Sequence, residues 1–455
     1  MSTITTKEKD AAFKILCDEF KKNNYINPEY YEKFNVKRGL RNPDGTGVVA
    51  GVTLICNVHG YIVVENEYTP VDGELIYRGI NIKDLVEGCK KEDRFGFAET
   101  VWLLLFGTLP NKQQLDFIQD LLAQTRDLPE NFAEDMIIKA PSPDIMNKMA
   151  RSVLALYSYD HNPDDTSLEN LIRQSVELIA RLPAIMCYAY QVKRRVYDNQ
   201  SMVFHPFEAH HSTAESILAS LRVDRQFTDE EAKLLDLCLV LHAEHGGGNN
   251  STFAARVLSS SGTDTYSAIA AGIGSLKGPK HGGANAKVME MVEYAKAGIA
   301  HWDNDGEVAD FLIKLLRKEA GDRSGLIYGT GHAVYTKSDP RAIILKENAI
   351  RLSKGTEFEK EFLLLNAIDR VTPDVFAKEK GNGKIISANV DLYSGLVYKM
   401  LGIPQELCTP LFAVARVAGW CAHRIEELTN AARIIRPAYK AVAKPQPYIP
   451  LEDRD

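Results

Sequence analysis

The sequence predicts a mainly α fold with a small N-terminal β element. Two observations carry this. From residue 96 onward, apolar residues recur at helical spacing in segment after segment. Between residues 48 and 79 the runs are instead short, β-branched and broken by turn residues. The chain has 455 residues, 45% hydrophobic and 25% charged, the composition of a globular protein with a large core.

Taken in order, "TKEKDAAFKILCDEFKKNN" has an amphipathic helical pattern, and "RNPDGTG" closes that segment with turn residues. The runs "VVAGVTLICNV", "YIVVENE" and "GELIYRG" are expected as three strands. "FAETVWLLLFG" is a helix ended by Gly107. "SPDIMNKMARSVLALYS" is a helix with Ser142 expected as N-cap and Pro143 at its first position. "TDEEAKLLDLCLVLHAEHGGG" opens with a capping box, Thr228 to Glu231, and is expected to end at Gly246. "DTYSAIAAGIGSL", "AKVMEMVEYAK", "GEVADFLIKLLRKEAG" and "PRAIILKENAIRLSKG" are further helices. "QELCTPLFAVARVAGWCAHRIEELT" is the last and longest, before the proline-rich tail "KPQPYIPLEDRD".

Charge and motifs exclude several functions. A net charge of −7 with no basic face argues against a nucleic-acid binder. No apolar run reaches membrane-spanning length, and the N-terminus lacks a signal-peptide pattern, so a cytoplasmic protein is expected. Seven scattered cysteines without a CxxC pair are expected as reduced thiols. Walker A and GxGxxG patterns are absent.

The chemistry gathers around histidines set among glycines. Five of the 11 histidines fall between His242 and His332. In "HAEHGGGNN", His242 and His245 share a helix face near its C-terminus. Three readings stand: zinc ligation, a protonated histidine favoured by the helix dipole, or ligand binding beside an open glycine backbone. In "GPKHGGAN", His281 precedes a helix, whose positive end lowers its pKa and leaves a neutral imidazole. It is either a donor to a developing enolate oxygen or a turn residue. In "GTGHAV", His332 follows Gly329 and Gly331. Arg341 opens a helix after Pro340, against the dipole, which hints at a carboxylate to bind. Asp391 in "NVDLYSG" is either an N-cap or a general base. Arg416 lies in the apolar run "LFAVARVAGW" and requires either an anionic ligand or a structural acid. Arg436 precedes Pro437 in an extended segment.

Together these stretches resemble the citrate synthase family. "LHAEHGGGN", "GPKHGGAN", "GTGHAVY" with "DPRA", "NVDLYSG", the "VAR" arginine and the "RP" arginine stand in the family's order. The resemblance implies a two-domain helical fold, a homodimer, and condensation of acetyl-CoA with oxaloacetate followed by hydrolysis of citryl-CoA. No cofactor and no metal is expected. The implied organisation is an extension at 1–48, a large domain at 49–282 and 396–440, a small domain at 283–395 and a tail at 441–455. The implied catalytic residues are His281, His332 and Asp391. His245, Arg341 and Arg416 would bind oxaloacetate, with Arg436 supplied across the dimer. Gly329, Gly331 and Lys337 would lie on the CoA side. Thr336 stands where the family places a basic residue, so Lys337 is the substitute for a phosphate contact. The rival readings are a 2-methylcitrate synthase using propionyl-CoA, an inactive scaffold of the same fold, and a zinc hydrolase built on His242 and His245.

Overall fold

Three antiparallel strands are ordered β1 (Cys56–Val64), β2 (Glu67–Tyr77) and β3 (Ile80–Asn81) in the structure, a computed structural model. It describes residues 6–64, 67–381, 385–430 and 433–454. Cys56 pairs with Tyr77 and Val58 with Leu75, and the register shifts between His59 and Tyr61. The expected strands are thus regrouped. Residues 48–55 join no strand, the second run continues the first across Gly60, and the third is the end of β2. Gly60 and Gly73 mark where another backbone comes close. A methyl at Gly60 would lie 2.8 Å from Tyr335 Cα, and one at Gly73 would overlap Ser338 O.

Helices make up most of the rest. The capping box of Asp229–His242 forms as expected, with Thr228 and Glu231 each satisfying the other's backbone. Gly107 ends Phe97–Phe106 with φ of 90°. Two caps differ from expectation. Asp144, not Ser142, caps Ile145–Leu156 by accepting from Asn147 N, and Ser142 Oγ instead accepts from Asp144 N. The Asp229 helix stops at His242 rather than at Gly246, which lies in the following turn with φ of 86°.

Cys408–Asn430 is the hub. It packs against Leu168–Val196, Phe97–Phe106, Asp229–His242, Asn250–Ser259 and Thr265–Lys277. Every residue from Ala413 to Arg424 is buried. Small residues make this possible: Trp420 lies so close to Gly272 that a methyl there would sit 3.1 Å from its ring. Burying such a large side chain contributes about 1.5–3 kcal/mol. Ala284–Gly298, Asp305–Leu316, Pro340–Ser353, Glu359–Lys380 and Val390–Met400 pack chiefly on one another.

Contacts divide the chain into two units, 51–435 and 1–50 with 436–455. In the second unit, Thr6–Asn23 is the expected N-terminal helix, with Phe13, Leu16 and Phe20 exposed. All seven cysteines are free thiols. No described helix is long and apolar enough to cross a membrane.

Candidate active site

Four segments of the 51–435 unit build the site. The first is the turn after the Asp229–His242 helix. His242 is fully buried and stacks on Phe412, with ring centroids 3.6 Å apart. Burial holds its pKa well below the ordinary value, with Arg341 and Arg416 adding to the effect. Of the three readings, the dipole-stabilised cation is the one that burial opposes, because desolvation outweighs a partial charge at a helix end. His245 is neutral for the same reasons, burial first and then Arg341, His332 and Arg416. Its Nε2 lies 3.2 Å from Tyr335 Oη. Zinc ligation finds no third ligand: among the described residues, no cluster of metal-ligating side chains includes either histidine.

The second and third segments are joined. Residues 329–332 and 387–391 form a short antiparallel bridge, Thr330 with Ala388. Gly331 N donates to Ser387 O (2.7 Å), Asn389 N to Gly329 O (2.9 Å), and Asn389 Nδ2 to Gly331 O (2.9 Å). Gly329 and Gly331 adopt φ of 77° and 80°, a region closed to most side chains. This bridge joins the segment that carries His332 to the one that carries Asp391. His332 Nδ1 accepts from the backbone N–H groups of Val334 (3.0 Å) and Tyr335 (3.1 Å). A ring nitrogen that accepts is unprotonated, so the ring's proton sits on Nε2. The His332 ring stacks on Tyr335 at 4.6 Å and meets the His245 ring edge-on at 5.0 Å.

Asp391 is not the N-cap of Val390–Met400. Asn389 takes that task by accepting from Asp391 N. The Asp391 carboxyl is thereby released from capping, and burial pushes its pKa up to about 6. Asp339 ties the neighbourhood together. It caps Pro340–Ser353, accepts from Val390 N (3.2 Å), and takes the Arg341 fork through Nε (3.0 Å) and Nη2 (2.7 Å). The dipole cost expected for Arg341 is met locally. Burial lowers its pKa, and Asp339 more than offsets this.

The fourth segment is the tight turn 278–283. A methyl at Gly282 would overlap Leu276 O, and one at Gly283 would lie 2.9 Å from Pro279 O. His281 is half-buried, with a pKa lowered to about 4 by burial and then by Arg416. The direction expected from the sequence holds, but its cause is desolvation. His281 Nε2 lies 3.0 Å from Ser251 Oγ, which accepts from Trp420 Nε1 (3.2 Å) and here donates its hydroxyl proton to Asn249 Oδ1 (2.8 Å). Arg416 itself is 2% exposed. Its Nε donates to His242 O (2.6 Å), and no described carboxylate pairs with it within 4.0 Å. Burial lowers its pKa, opposed first by Glu244.

Sequence reasoning missed Ser251, Tyr335, Asp339 and Glu244. Only Asp339 carried a readable signal, as the residue before Pro340. Lys337 is exposed, whereas Thr336 is engaged with Gly60 O (2.7 Å). Arg436 is exposed and belongs to the 1–50 and 436–455 unit.

Two buried arginines, neutral histidines and one desolvated carboxylate make an acid–base site suited to an anionic substrate. Comparison with known proteins gives the family. Residues 46–438 match the family described as "Citrate synthase, C-terminal domain". A citrate synthase of Haloferax volcanii is 33% identical over 407 residues, spanning 87% of this chain and 98% of that protein. A 2-methylcitrate synthase of Shewanella oneidensis is 32% identical over 390 residues, spanning 84% of this chain and 92% of that one. Among solved structures, the citrate synthase of Thermoplasma acidophilum in ternary complex with carboxymethyl coenzyme A and oxaloacetate superposes with a TM-score of 0.74 at 26% identity, covering 92% of this chain and 99% of that one. The chain belongs to the citrate synthase family.

Proposed function

We propose that this protein condenses acetyl-CoA with oxaloacetate and hydrolyses the resulting citryl-CoA to citrate and CoA. In this reading Asp391 removes a methyl proton from the thioester. A thioester methyl is a weak acid, so the base needs a donor at the developing enolate oxygen. His281 supplies it. When Ser251 turns its hydroxyl proton to His281 Nε2, the ring's own proton sits on Nδ1 as the donor. The enolate attacks the ketone carbon of oxaloacetate, whose oxygen His332 Nε2–H polarises. Arg341, Arg416 and His245 hold the carboxylates, and Lys337 takes the CoA phosphate contact left by Thr336. The observation that carries this reading is the 329–332 to 387–391 bridge, which joins the segment of a desolvated carboxylate to that of an imidazole with a fixed tautomer. The relative bound to carboxymethyl coenzyme A and oxaloacetate supports the same substrate pair. The chain carries every reactive residue type the reading needs, which weighs against an inactive scaffold.

The test is thiol release. Free CoA is expected from acetyl-CoA only when oxaloacetate is present, and without added metal. Loss of activity in a chelator, restored by zinc, would refute the reading. The Shewanella relative keeps propionyl-CoA open as donor. One methylene is worth about 1–3 kcal/mol in an apolar pocket, so the same assay with both donors ranks them.

We further propose a homodimer in which Arg436 completes the partner's site. In the unit that carries Arg436, Tyr439, Tyr448 and Leu451 are each at least 77% exposed, surface that a dimer would cover. Mixing inactive Asp391→Asn and Arg436→Leu subunits then regenerates one intact site per mixed dimer. Exchange confirmed by mass spectrometry without any return of activity would place Arg436 in its own subunit's chemistry.

A further inference from the structure

Glu244 sits between the two histidines of "HAEHG" and is fully buried. Its Oε1 accepts from Gly246 N (2.5 Å) and lies 3.1 Å from His423 Nε2. His423 Nδ1 lies 3.1 Å from Arg256 Nη1, which can only donate, so His423 carries its proton on Nε2 and donates it to Glu244. Arg256 is itself held by Glu426 (3.1 Å) and Glu427 (2.7 Å). One tautomer and one direction of donation therefore run through this buried chain.

The other carboxylate oxygen is the anomaly. Glu244 Oε2 is buried without a hydrogen-bond partner. It lies against the hub helix at Gly419, where a methyl would overlap it. Gly419 is one turn beyond Arg416 and on the same helix face. Arg416 is buried too, and no described carboxylate pairs with it in contact. Each group feels the other: Glu244 is the main charge favouring the Arg416 cation, and Arg416 in turn helps His423 keep Glu244 ionised against its burial.

We propose that Glu244 is the built-in counter-charge of Arg416, a positioning residue that stabilises the enzyme before substrate binds and moderates its affinity for the dicarboxylate. This rests on the proposed function, in which Arg416 binds an oxaloacetate carboxylate. A buried cation needs an anion nearby, and two anions can serve it: Glu244 always, the substrate only when bound. The two therefore repel each other across one guanidinium. Glu244 makes the unliganded state tolerable at the expense of substrate affinity.

The test is Glu244→Gln, which keeps the shape and the accepting oxygen and removes the charge. Oxaloacetate is titrated by calorimetry, and melting is followed with and without it. The unliganded variant is expected to melt lower than wild type. It is expected to bind oxaloacetate roughly tenfold more tightly, the scale of one unit charge removed several ångströms from the ligand. Glu244→Asp, which keeps the charge, should stay near wild-type affinity. A purely structural role predicts weaker binding in Glu244→Gln. If wild type binds oxaloacetate and Glu244→Gln binds it equally or less well, this inference falls alone. If wild type does not bind oxaloacetate, the proposed function falls first. Should Glu244→Gln not fold, the double variant Glu244→Gln with Arg416→Met decides. It is expected to fold and show a cooperative melt where the single variant does not, and failure to do so overturns the pairing.

Discussion

The two halves of the site are built by different means. Around His245 and Arg416 the side chains are 7% and 2% exposed and hang from the ends and middle of core helices. Burial sets their charge states and the core sets their positions. Around His332 and Asp391 the side chains are half-buried, His332 on a loop and Asp391 in the first turn of Val390–Met400, and a backbone bridge with two left-handed glycines joins the two segments. In the proposed function the first half is the anion-binding side. The second carries the reactive pair, with His332 on the kind of segment that can close over a substrate. Affinity should therefore reside in the first half and turnover in the second.

The largest expected effect breaks the second half. Asp391→Asn should lower kcat by about 10²–10⁴ while oxaloacetate affinity stays within a few-fold. It should also raise stability, and the sign is explicit. The folded pKa of Asp391 is about 6, above its ordinary 3.8, so the folded state holds a proton that the unfolded state releases between those values. Ionised Asp391 costs stability above pH 6, and Asn removes that cost. The expected gain is about 1–2 kcal/mol at pH 7.5 after allowing for solvent screening, fading as pH falls toward 4. Thermal melts across that range check it. A melting temperature that drops instead would mean Asp391 supports the helix start after all.

A smaller effect divides the first half. Arg341→Leu and Arg416→Leu should each weaken oxaloacetate binding by about 1.5–3 kcal/mol, with the KM for acetyl-CoA moving less. Their effects on unliganded stability should differ. Arg341 is locked to Asp339, so its loss strands a buried carboxylate at a cost of about 3–5 kcal/mol. Arg416 has no carboxylate in contact, and Glu244 keeps its bonds to Gly246 N and His423 when the cation goes, so its replacement should cost less than that of Arg341. Calorimetry and denaturant melts on both variants test this, and equal destabilisation would contradict it.

The same contrast explains what the sequence disclosed. The helices, the Thr228 capping box and the glycine-flanked histidines were legible, because periodicity and glycine placement are local signals. The reason for Gly329, Gly331 and Gly60 was not, since each answers to a backbone distant in sequence. His242 looked like a favoured cation at a helix end because local reading has no access to burial. Asp391 looked like a cap because Asn389, two residues earlier, offers the same chemistry, and only geometry shows which one accepts. Ser251, Tyr335 and Glu244 have ordinary side chains whose importance comes from what lies across the fold.

The most direct test of this division of labour is the pH dependence of kcat for thiol release at saturating acetyl-CoA and oxaloacetate. The anion-binding side holds neutral histidines throughout the working range: the pKa of His281 is about 4 and that of His245 lies well below its ordinary value. In the proposed function Asp391, with a pKa of about 6, is the base whose ionisation turnover requires. The account predicts a single-proton acid limb with its midpoint at about pH 6 and a plateau above it. A kcat that stays flat from pH 8 down to pH 5 would contradict it.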